Sequence, residues 1–470
     1  MRREARSEGQ GRVRLRYGSR SRACGSVQVH ARLFRGTVSS EGRDSDDRRA
    51  ATVRCPVAVE HKNNEEQGWV ESAYAWTRLW IALALSTIGG VGMWSVVVAL
   101  PAVQAEFGVA RADASLPYTL TMIGFGIGGI LLGKLSDRFG IVAPVLIGAA
   151  ALALGYAAAG FAPTLGWYGA AQGILVGFGS SATFAPLMAD TSHWFARRRG
   201  IAVGIFASGN YLAGTIWPTI IQHFIETAGW RQTFFGISAF CAVTMVPLAL
   251  ALRRRAPAVA MTAVPQSVAP GGGALGMSPR SLQVLLAVAS ICCCVAMSMP
   301  QVHLVAYCGD LGYGAARGAQ MLSVMLACGI VSRVSFGWIS DRLGGLRTLL
   351  LGSALQGIAL LLFLPFDGLV SLFVISSMFG LFQGGIVPAY AIIIREYFSP
   401  KEAGARVGIV ITASLFGMAL GGWMSGAIFD LTGSYHAAFL NGIGWNAVNL
   451  VIAGTLLVRL GGGRMGARAA

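Results

Sequence analysis

The octet Gly133-Lys134-Leu135-Ser136-Asp137-Arg138-Phe139-Gly140, GKLSDRFG in one-letter code, lies between two long apolar runs of the sequence. A second octet of the same pattern, GWISDRLG, occupies residues 337–344 in the same setting, 204 residues later. A short charged turn between two segments of membrane-spanning length indicates a loop at a membrane face. Its recurrence predicts a chain built from two homologous halves.

The shift of 204 residues also relates other positions before, in or after apolar runs, as expected of a duplication that keeps its register. Each pair holds the same residue type: Gly108 and Gly312, Gly200 and Gly404, Gly204 and Gly408, Gly229 and Gly433, and Phe235 and Phe439. Two parallel halves of six helices are the construction of one large class of secondary transporters. The sequence therefore predicts an all-α membrane protein of about 12 transmembrane helices in two six-helix pseudo-repeats.

The composition agrees with a polytopic membrane protein. Hydrophobic residues make up 54% of the chain and charged residues only 12%, whereas about a quarter of an ordinary soluble domain is charged. The formal net charge of +16 does not indicate a nucleic-acid partner, because much of the basic excess lies in predicted loops. The cysteines show no CxxC spacing and are interpreted as small apolar filler, so no metal or cofactor is expected.

About twelve apolar runs follow from about Thr77, each long enough to cross about 30 Å of hydrocarbon. A first half over residues 73–252 holds runs at 77–100, 115–135, 141–161, 165–189, 200–223 and 231–252. A second half over residues 281–460 holds runs at 281–306, 316–339, 345–366, 368–394, 404–429 and 436–458. Residues 253–280 are predicted to be a cytoplasmic linker and 461–470 a cytoplasmic tail. Residues 1–72 are predicted to be a disordered extension, or to result from a start codon assigned too far upstream.

Basic residues predict the orientation, because cytoplasmic loops carry an excess of Lys and Arg. With the octets in the cytoplasm, the outer loops hold only Arg111, Arg231 and Arg317, whereas the inner loops and the C-terminal tail hold 17 basic residues, Arg395 included. Both termini are then cytoplasmic. The preference for Arg over Lys favours a GC-rich bacterial source, so we expect the protein in the plasma (bacterial inner) membrane. We also expect a multi-pass monomer with the lipid bilayer as its surroundings.

Arg333 is the charged residue that lies farthest from both ends of a predicted span. It stands eight residues before Asp341, about 12 Å along the helix axis and near the bilayer midplane. A charge there costs at least about 2.5 kcal/mol, so its default interpretation is a functional residue that faces a cavity. The 204-residue shift aligns it with Gly129, so the charge is an addition to the repeated fold. The alternative is a structural arginine that caps neighbouring carbonyls or pairs with the octet region.

A guanidinium group is suited to holding one carboxylate through two hydrogen bonds. No Asp or Glu lies at a similar predicted depth, since Asp190 and Asp310 stand at predicted helix ends. The missing counter-charge is therefore predicted to be the substrate. A single fixed cation favours a small organic monoanion, because a dianion would require a second cation.

Other polar residues on predicted helices are candidates to line the substrate cavity. His303 follows Pro300 in the seventh predicted helix, and it is either a proton carrier or a hydrogen-bonded residue near the interface. The remaining candidates lie on the fifth and tenth predicted helices, where helix contact is the commoner role for any one of them: Asn210, Tyr211, Gln383 and Tyr390.

These residues together resemble the major facilitator superfamily, and within it the monocarboxylate transporters and their bacterial relatives, which include oxalate/formate exchangers. The resemblance covers roughly residues 77–460. It depends on the two octets, on the junction WFARRRG from Trp194 to Gly200, and on Arg333 four residues before Gly337. In that family an arginine so placed on the eighth helix binds the substrate carboxylate, and the resemblance implies this role for Arg333.

Three departures from the family pattern limit what the resemblance implies. Members that carry protons have an acidic residue one turn before this arginine, where this chain has Gly329, and a lysine in the first helix, which is absent here. Oxalate/formate exchangers have a lysine on the eleventh helix, and none lies between Arg406 and Asp430. Proton coupling through the usual residues and a dicarboxylate substrate are therefore disfavoured.

We interpret the chain as a secondary active or facilitative transporter of a monocarboxylate that works by alternating access, with protons as a candidate coupling ion. Small residues are predicted helix contacts at Gly129 and Gly133 and at Gly422 and Gly426. Octet residues are predicted gate and interface residues whose charge contacts form in one state and break in the other, or else simple loop caps: Gly133, Asp137, Arg138, Gly140, Gly337, Asp341, Arg342 and Gly344.

Three other function classes are less well supported. Proton-coupled efflux of drugs or other metabolites has a fifth-helix signature that residues 214–219 (GTIWPT) meet poorly, and Arg333 would repel cationic drugs. A non-transporting receptor would favour a folded cytoplasmic extension, which residues 1–72 do not resemble. An enzyme is disfavoured because the sequence contains no HExxH or GxSxG motif and no predicted pair of intramembrane carboxylates.

Overall fold

A computed structural model of the chain describes residues 70–195, 198–254 and 277–469, with the helix backbone alone at residues 199, 400, 401 and 460–469. The predictions for the N-terminal extension as far as residue 69, for Arg197 and for most of the linker lie outside these residues. Every regular element within the described ranges is helical, so the predicted all-α fold is confirmed.

The first half contains α1 (Ala73–Gly89), α2 (Val91–Phe107), α3 (Arg111–Phe139), α4 (Val142–Gly160), α5 (Leu165–Ala170), a π-helix (Ala171–Gly177), α6 (Phe178–Ser181), α7 (Ala185–His193), α8 (Arg199–Ala207), α9 (Gly209–Ala228) and α10 (Trp230–Ala251). The second half contains α11 (Pro279–Asp310), α12 (Ala315–Leu343), α13 (Gly345–Leu362), α14 (Leu369–Gln383), α15 (Ile386–Tyr397), α16 (Pro400–Thr432) and α17 (Tyr435–Ala469).

Ten helical segments in the described ranges are long and apolar enough to cross a membrane. The two other predicted spans are also helical but are divided into shorter pieces. The fourth span comprises α5, the π-helix, α6 and α7, and the fifth comprises α8 and α9. Together with the ten candidate spans, they account for the twelve predicted segments.

The internal repeat is visible in the helix boundaries. A shift of 204 residues carries both ends of α3 onto both ends of α12, and it carries Leu165 and His193 onto the first residue of α14 and the last residue of α15. Gly140 and Gly344 end the equivalent helices α3 and α12 with φ values of 83° and 81°. Only glycine adopts this backbone conformation without strain, so the octets end their helices in the same way. The predicted pair of pseudo-repeats is confirmed.

Contacts between the halves bring α3 against α16, α9 against α12, and α2 against α11. Gly422 lies so close to α3 that a Cβ atom would come within 2.9 Å of the Tyr118 ring, and Gly426 is equally close to the Arg111 carbonyl. These two predicted contact glycines do lie at a helix interface. Gly133 does not, because a Cβ atom there would meet no described atom within 4 Å. The prediction of a helix contact at Gly133 is therefore wrong for this state.

We call the end of the bundle that carries Gly140 and Gly344 the octet end. The opposite end, where Arg111 begins α3 and Asp310 ends α11, is the far end.

Candidate functional site

A cavity of about 660 Å³ lies between the two halves. Helices α2, α3, α7, α8 and α9 of the first half and α11, α12, α15 and α16 of the second contribute to its wall. It extends from Tyr118 and Gln301, which are buried, to Ser192, Arg395 and Gly404 at the octet end, where the latter two are exposed. The cavity therefore begins deep in the bundle and reaches the octet end.

Arg333 lies on the wall of this cavity, ten residues before the end of α12, or about 15 Å along the helix. Its guanidinium carbon stands 4.4 Å from the centre of the Tyr211 ring, an arrangement favourable for cation–π attraction. Nη1 donates a hydrogen bond to the Ala207 carbonyl at 3.4 Å, and Nε has no partner among the described residues. Tyr211 thus positions the guanidinium group, and most hydrogen-bond donors of Arg333 have no partner among the described residues.

Tyr211 reaches Arg333 because α12 has a glycine one turn earlier. A Cβ atom at Gly329 would lie 2.3 Å from the Tyr211 ring, so any side chain there would displace the tyrosine. Gly329 and Arg333 are four residues apart and share one face of the helix. The glycine that departs from the family pattern therefore makes the space for the Tyr211 ring.

Two of the six predicted substrate residues join Arg333 on the cavity wall, namely Asn210 and Tyr211 on α9. The Asn210 carbonyl accepts a hydrogen bond from Trp94 Nε1 at 3.3 Å, which fixes the start of α9 against α2. Both residues lie on a helix, as predicted, and both contribute to the cavity wall.

Gln383 and Tyr390 do not line this cavity, although both belong to the second half that encloses it. Gln383 is fully buried and accepts a hydrogen bond from Gln301 Nε2 at 2.7 Å, whereas Tyr390 donates to Asn449 at 3.0 Å. Gln301 does line the cavity, although it was not among the predicted residues. Its place beside Pro300 in the seventh predicted helix was the available signal.

Among the lining residues that the structure describes, the charged ones are Arg333 and Arg395, and none is Asp or Glu. Arg395 was predicted to lie in an inner loop, but it is part of α15, two residues before its end. Its neighbour Glu396 accepts a hydrogen bond from the Gly345 amide at 3.0 Å and so is engaged at the start of α13. The prediction of a single cation is therefore incomplete, since a second guanidinium group stands near the octet end of the cavity.

His303 lies away from the cavity in a directed chain of hydrogen bonds. Its Nε2 is 2.7 Å from the Gly422 carbonyl, which can only accept, so Nε2 carries the proton. Nδ1 then accepts from the Tyr435 hydroxyl at 3.1 Å, and that hydroxyl accepts from Arg111 at 2.6 Å. In this structure His303 is a hydrogen-bonded polar residue, which is one of its two interpretations. A role as proton carrier stays a prediction.

Arg111 is the centre of a cluster that joins the halves at the far end. Its guanidinium group donates to both carboxylate oxygens of Asp310, at 3.0 and 3.1 Å. The backbone amides of Arg111 and Ala112 donate to Asp430 at 2.9 and 2.7 Å. Arg111 was predicted to lie in an outer loop, but it is the first residue of α3 and only 8% exposed. We call Arg111, Asp310, Asp430 and Tyr435 the far-end cluster.

The octet residues have few partners in this state. Asp137, Arg138, Asp341 and Arg342 are exposed, and none of them forms an ion pair within the part of the chain that the structure describes. Arg342 stacks on Trp338, with 3.6 Å from the guanidinium carbon to the ring centre. At Gly337, as at Gly133, a Cβ atom would meet no described atom within 4 Å. A gating role for the octets stays a prediction.

A buried ion pair in the first half was not foreseen. Arg78 on α1 donates to Asp190 on α7 at 2.9 Å and to the Leu252 carbonyl at 2.8 Å. Arg78 is 3% exposed and stacks on Trp194. Both charged residues lie near the ends of predicted spans, where a charge is ordinary and gives no signal. Their contacts join three helical segments and lie outside the cavity wall.

Comparison with known proteins agrees with this architecture. The sequence model of the Major Facilitator Superfamily matches residues 79–376 and 334–466. Monocarboxylate transporter 13 of Rattus norvegicus is 30% identical over 335 residues, which cover 70% of this chain and 75% of that protein. The protein of the same name from Bos taurus is 28% identical over 335 residues, with the same coverage. Monocarboxylate transporter 12-B of Danio rerio is 24% identical over 381 residues, covering 73% and 78%.

Solved structures with the same fold share little sequence with the chain. A bacterial homolog of the human lysosomal transporter Spinster, in an inward-facing and occupied conformation, superimposes with a TM-score of 0.61 at 14% identity, covering 84% of this chain and 97% of that one. A point mutant of the nucleoside transporter NupG gives a TM-score of 0.60 at 14% identity, covering 82% and 99%.

Proposed function

Because this chain belongs to the major facilitator superfamily and is a membrane transporter, we propose that it carries an organic monocarboxylate, with Arg333 as the residue that binds the carboxylate. The observation that carries the proposal is the charge of the cavity wall, where Arg333 and Arg395 are the charged side chains among the described lining residues and no carboxylate stands among them. A cation that has lost much of its hydration gains most from an anionic ligand that supplies the missing partner.

The two arginines have different parts in this proposal. Arg333 is half-buried, fixed by Tyr211, and about 15 Å from the end of its helix, which suits a central binding residue. Arg395 is exposed and two residues from the end of α15, so water and salt screen it. We assign it the attraction of anions into the cavity. The binding site itself thus contains a single positive charge, that of Arg333, which favours a monoanion.

Alternating access is the mechanism that we propose. The far-end cluster holds the halves together on one side of the site, and the cavity extends to the opposite, octet end. Rocking of the halves about the site would open the far end and close the octet end. With the octet end in the cytoplasm, as the basic residues predict, this state faces inward and both termini lie in the cytoplasm of a plasma membrane.

Facilitative transport or anion exchange fits the site better than proton coupling through the residue before Arg333. The Tyr211 ring fills the space beside Gly329, where proton-carrying relatives have an acidic side chain. Efflux of cationic drugs is disfavoured because none of the described lining residues bears a negative charge. We therefore expect a pH gradient to have little direct effect on exchange.

The test is uptake of labelled lactate, pyruvate and further monocarboxylates into proteoliposomes, with and without an imposed pH gradient. Arg333→Ala should lower the apparent affinity about a hundred-fold, since a charge-assisted pair of hydrogen bonds contributes about 3 kcal/mol. Arg333→Lys should recover only part of it, because lysine cannot bind two oxygens in the same plane. Arg395→Gln is the matched control, with saturable transport and a modestly raised KM. Full activity of Arg333→Ala would refute the proposal.

A further inference from the structure

The wall around Arg333 is apolar where a bound carboxylate would continue into the rest of its molecule. Leu326 lies seven residues before Arg333, about two turns along the same face of α12. Trp94 and Leu326 both pack against Gly214, where a Cβ atom would come within 2.7 and 2.3 Å of their side chains. Trp94 and Leu326 therefore meet at Gly214, and together with Tyr211 they belong to the wall of the cavity that holds Arg333.

Methionine is conspicuous in the rest of the wall. Both halves contribute, with Met93 and Met188 from the first and Met297 and Met418 from the second. Phe125 and Phe184 add aromatic surface from α3 and the turn before α7. Thioether side chains are flexible and polarisable, so they adapt to apolar ligands of different shape and make favourable contacts with aromatic rings.

Polar side chains in the wall are partly committed to the protein. Ser414 shares a hydrogen bond of 2.5 Å with Ser290 and donates to the Val410 carbonyl at 3.0 Å. Gln301 uses its amide nitrogen on Gln383. These atoms are therefore not available to replace the water that a hydroxylated or doubly charged molecule would lose when the halves close around it.

From this wall we infer that the substrate has one carboxylate on an apolar body, aromatic or aliphatic with several carbons, and that the site accepts more than one such body. The assignment of the carboxylate rests on the proposed function, whereas the apolar body is inferred from the lining residues alone. A cavity of about 660 Å³ is in the range that holds drug-sized ligands. Acetate or lactate would leave the half-buried side chains of Met93, Met188 and Met418 without an apolar partner, so these small acids should bind weakly.

The experiment is calorimetric titration of the purified full-length protein, which avoids passive permeation of the ligands. The series acetate, butyrate, hexanoate and 3-phenylpropionate keeps one charge and enlarges the body. Kd should fall about two- to four-fold for each methylene buried. Lactate should bind at least ten-fold more weakly than 3-phenylpropionate. The neutral 3-phenylpropanol and the cationic 3-phenylpropylamine test whether the carboxylate contributes to binding, and both should bind more weakly than 3-phenylpropionate.

Variants of one wall residue connect the trend to this cavity. Met297→Gln keeps the size of the side chain but makes it polar, and it should weaken 3-phenylpropionate several-fold with little effect on acetate. Met297→Leu, the matched control, should bind both like the parent. If Met297→Gln leaves the whole series unchanged, the apolar body does not lie here and the inference is overturned.

The ligand series separates the two proposals. Tighter binding of lactate or acetate than of 3-phenylpropionate would overturn the apolar body and leave monocarboxylate transport standing. Equal binding of the alcohol or amine and the acid would overturn the role of the carboxylate while the apolar body stands. If no ligand of the series binds, both proposals fail.

Discussion

Replacing Asp310 by Asn should shift the protein toward the state that is open at the far end. Asp310 in the second half accepts two hydrogen bonds from Arg111 in the first, so the pair must separate when the halves rock apart there. Asn keeps the size of the side chain but loses the charge. Arg111 retains the Tyr435 hydroxyl, and the backbone contacts to Asp430 are unaffected.

The size of the shift follows from the exposure of the pair. The side chain of Arg111 is 10% exposed and that of Asp310 is 36% exposed. A hydrogen bond to a charged group contributes about 1.5–3 kcal/mol when buried, and an exposed ion pair at most about 1 kcal/mol. We therefore expect a loss of about 1 kcal/mol, which raises the ratio of far-end-open to far-end-closed molecules about five-fold.

The assay is a distance distribution between two spin labels at exposed far-end positions, one in each half. Thr227 and Leu431 are exposed residues near the far ends of α9 and α16, and cysteines there can carry the labels once native cysteines are replaced. Asp310→Asn should increase the population with the longer separation relative to the parent. The double variant with Tyr435→Phe should increase it further, because Arg111 then loses the hydroxyl that accepts its hydrogen bond across the interface.

Glu106→Gln is the matched control for this prediction. Glu106 also forms a far-end ion pair, with Arg231 at 2.7 Å, but both residues belong to the first half. Its removal changes the charge of the same end of the bundle without crossing the interface. An unchanged distribution for Asp310→Asn, or an equal shift for Glu106→Gln, would refute the assignment of the far-end cluster as an inter-half lock.

Two further predictions concern packing and stability. Gly329→Ala should lower transport at least ten-fold while the protein stays folded, because its Cβ atom would collide with the Tyr211 ring under Arg333. Proteoliposome uptake measures this, and Val331→Ala, at an exposed position of the same helix outside the cavity wall, should transport like the parent. Asp190→Ala should lower the free energy of unfolding by about 3–5 kcal/mol, since it leaves Arg78 buried without its carboxylate. The unfolding temperature checks this, and an unchanged value would contradict it.

The fold was predictable because its signals are local and repeated. Apolar length predicts a span wherever it occurs, and the shift of 204 residues connects the octets to matching helix ends. Helices interrupted at Gly90 or within 165–193 were not foreseen as broken, because a break inside an apolar run changes neither its length nor its hydropathy.

The site was only partly predictable because hydropathy does not reveal which face of a membrane helix points inward. Arg333 was predicted because a charged residue within a span almost always faces the bundle interior or a cavity. Tyr211 was one of several polar candidates. Tyr390 has the same polarity but faces a neighbouring helix of its own half. The pairing of Arg111 with Asp310 joins residues 199 positions apart, and no local pattern encodes such a contact.

The contrast between the two ends of the bundle gives the octets a physical reason to act as a gate. At the far end, inter-half contacts engage Arg111, Asp310, Asp430 and Tyr435. At the octet end, Asp137, Arg138, Asp341 and Arg342 are exposed and, within the described ranges, form no ion pair. If nothing at the octet end replaced the far-end contacts as they separated, this state would dominate and transport would stall. The octet charges should therefore gain partners when the octet end closes, and neutralising Asp137 or Asp341 should favour the state with the cavity open there, opposite in sign to Asp310→Asn.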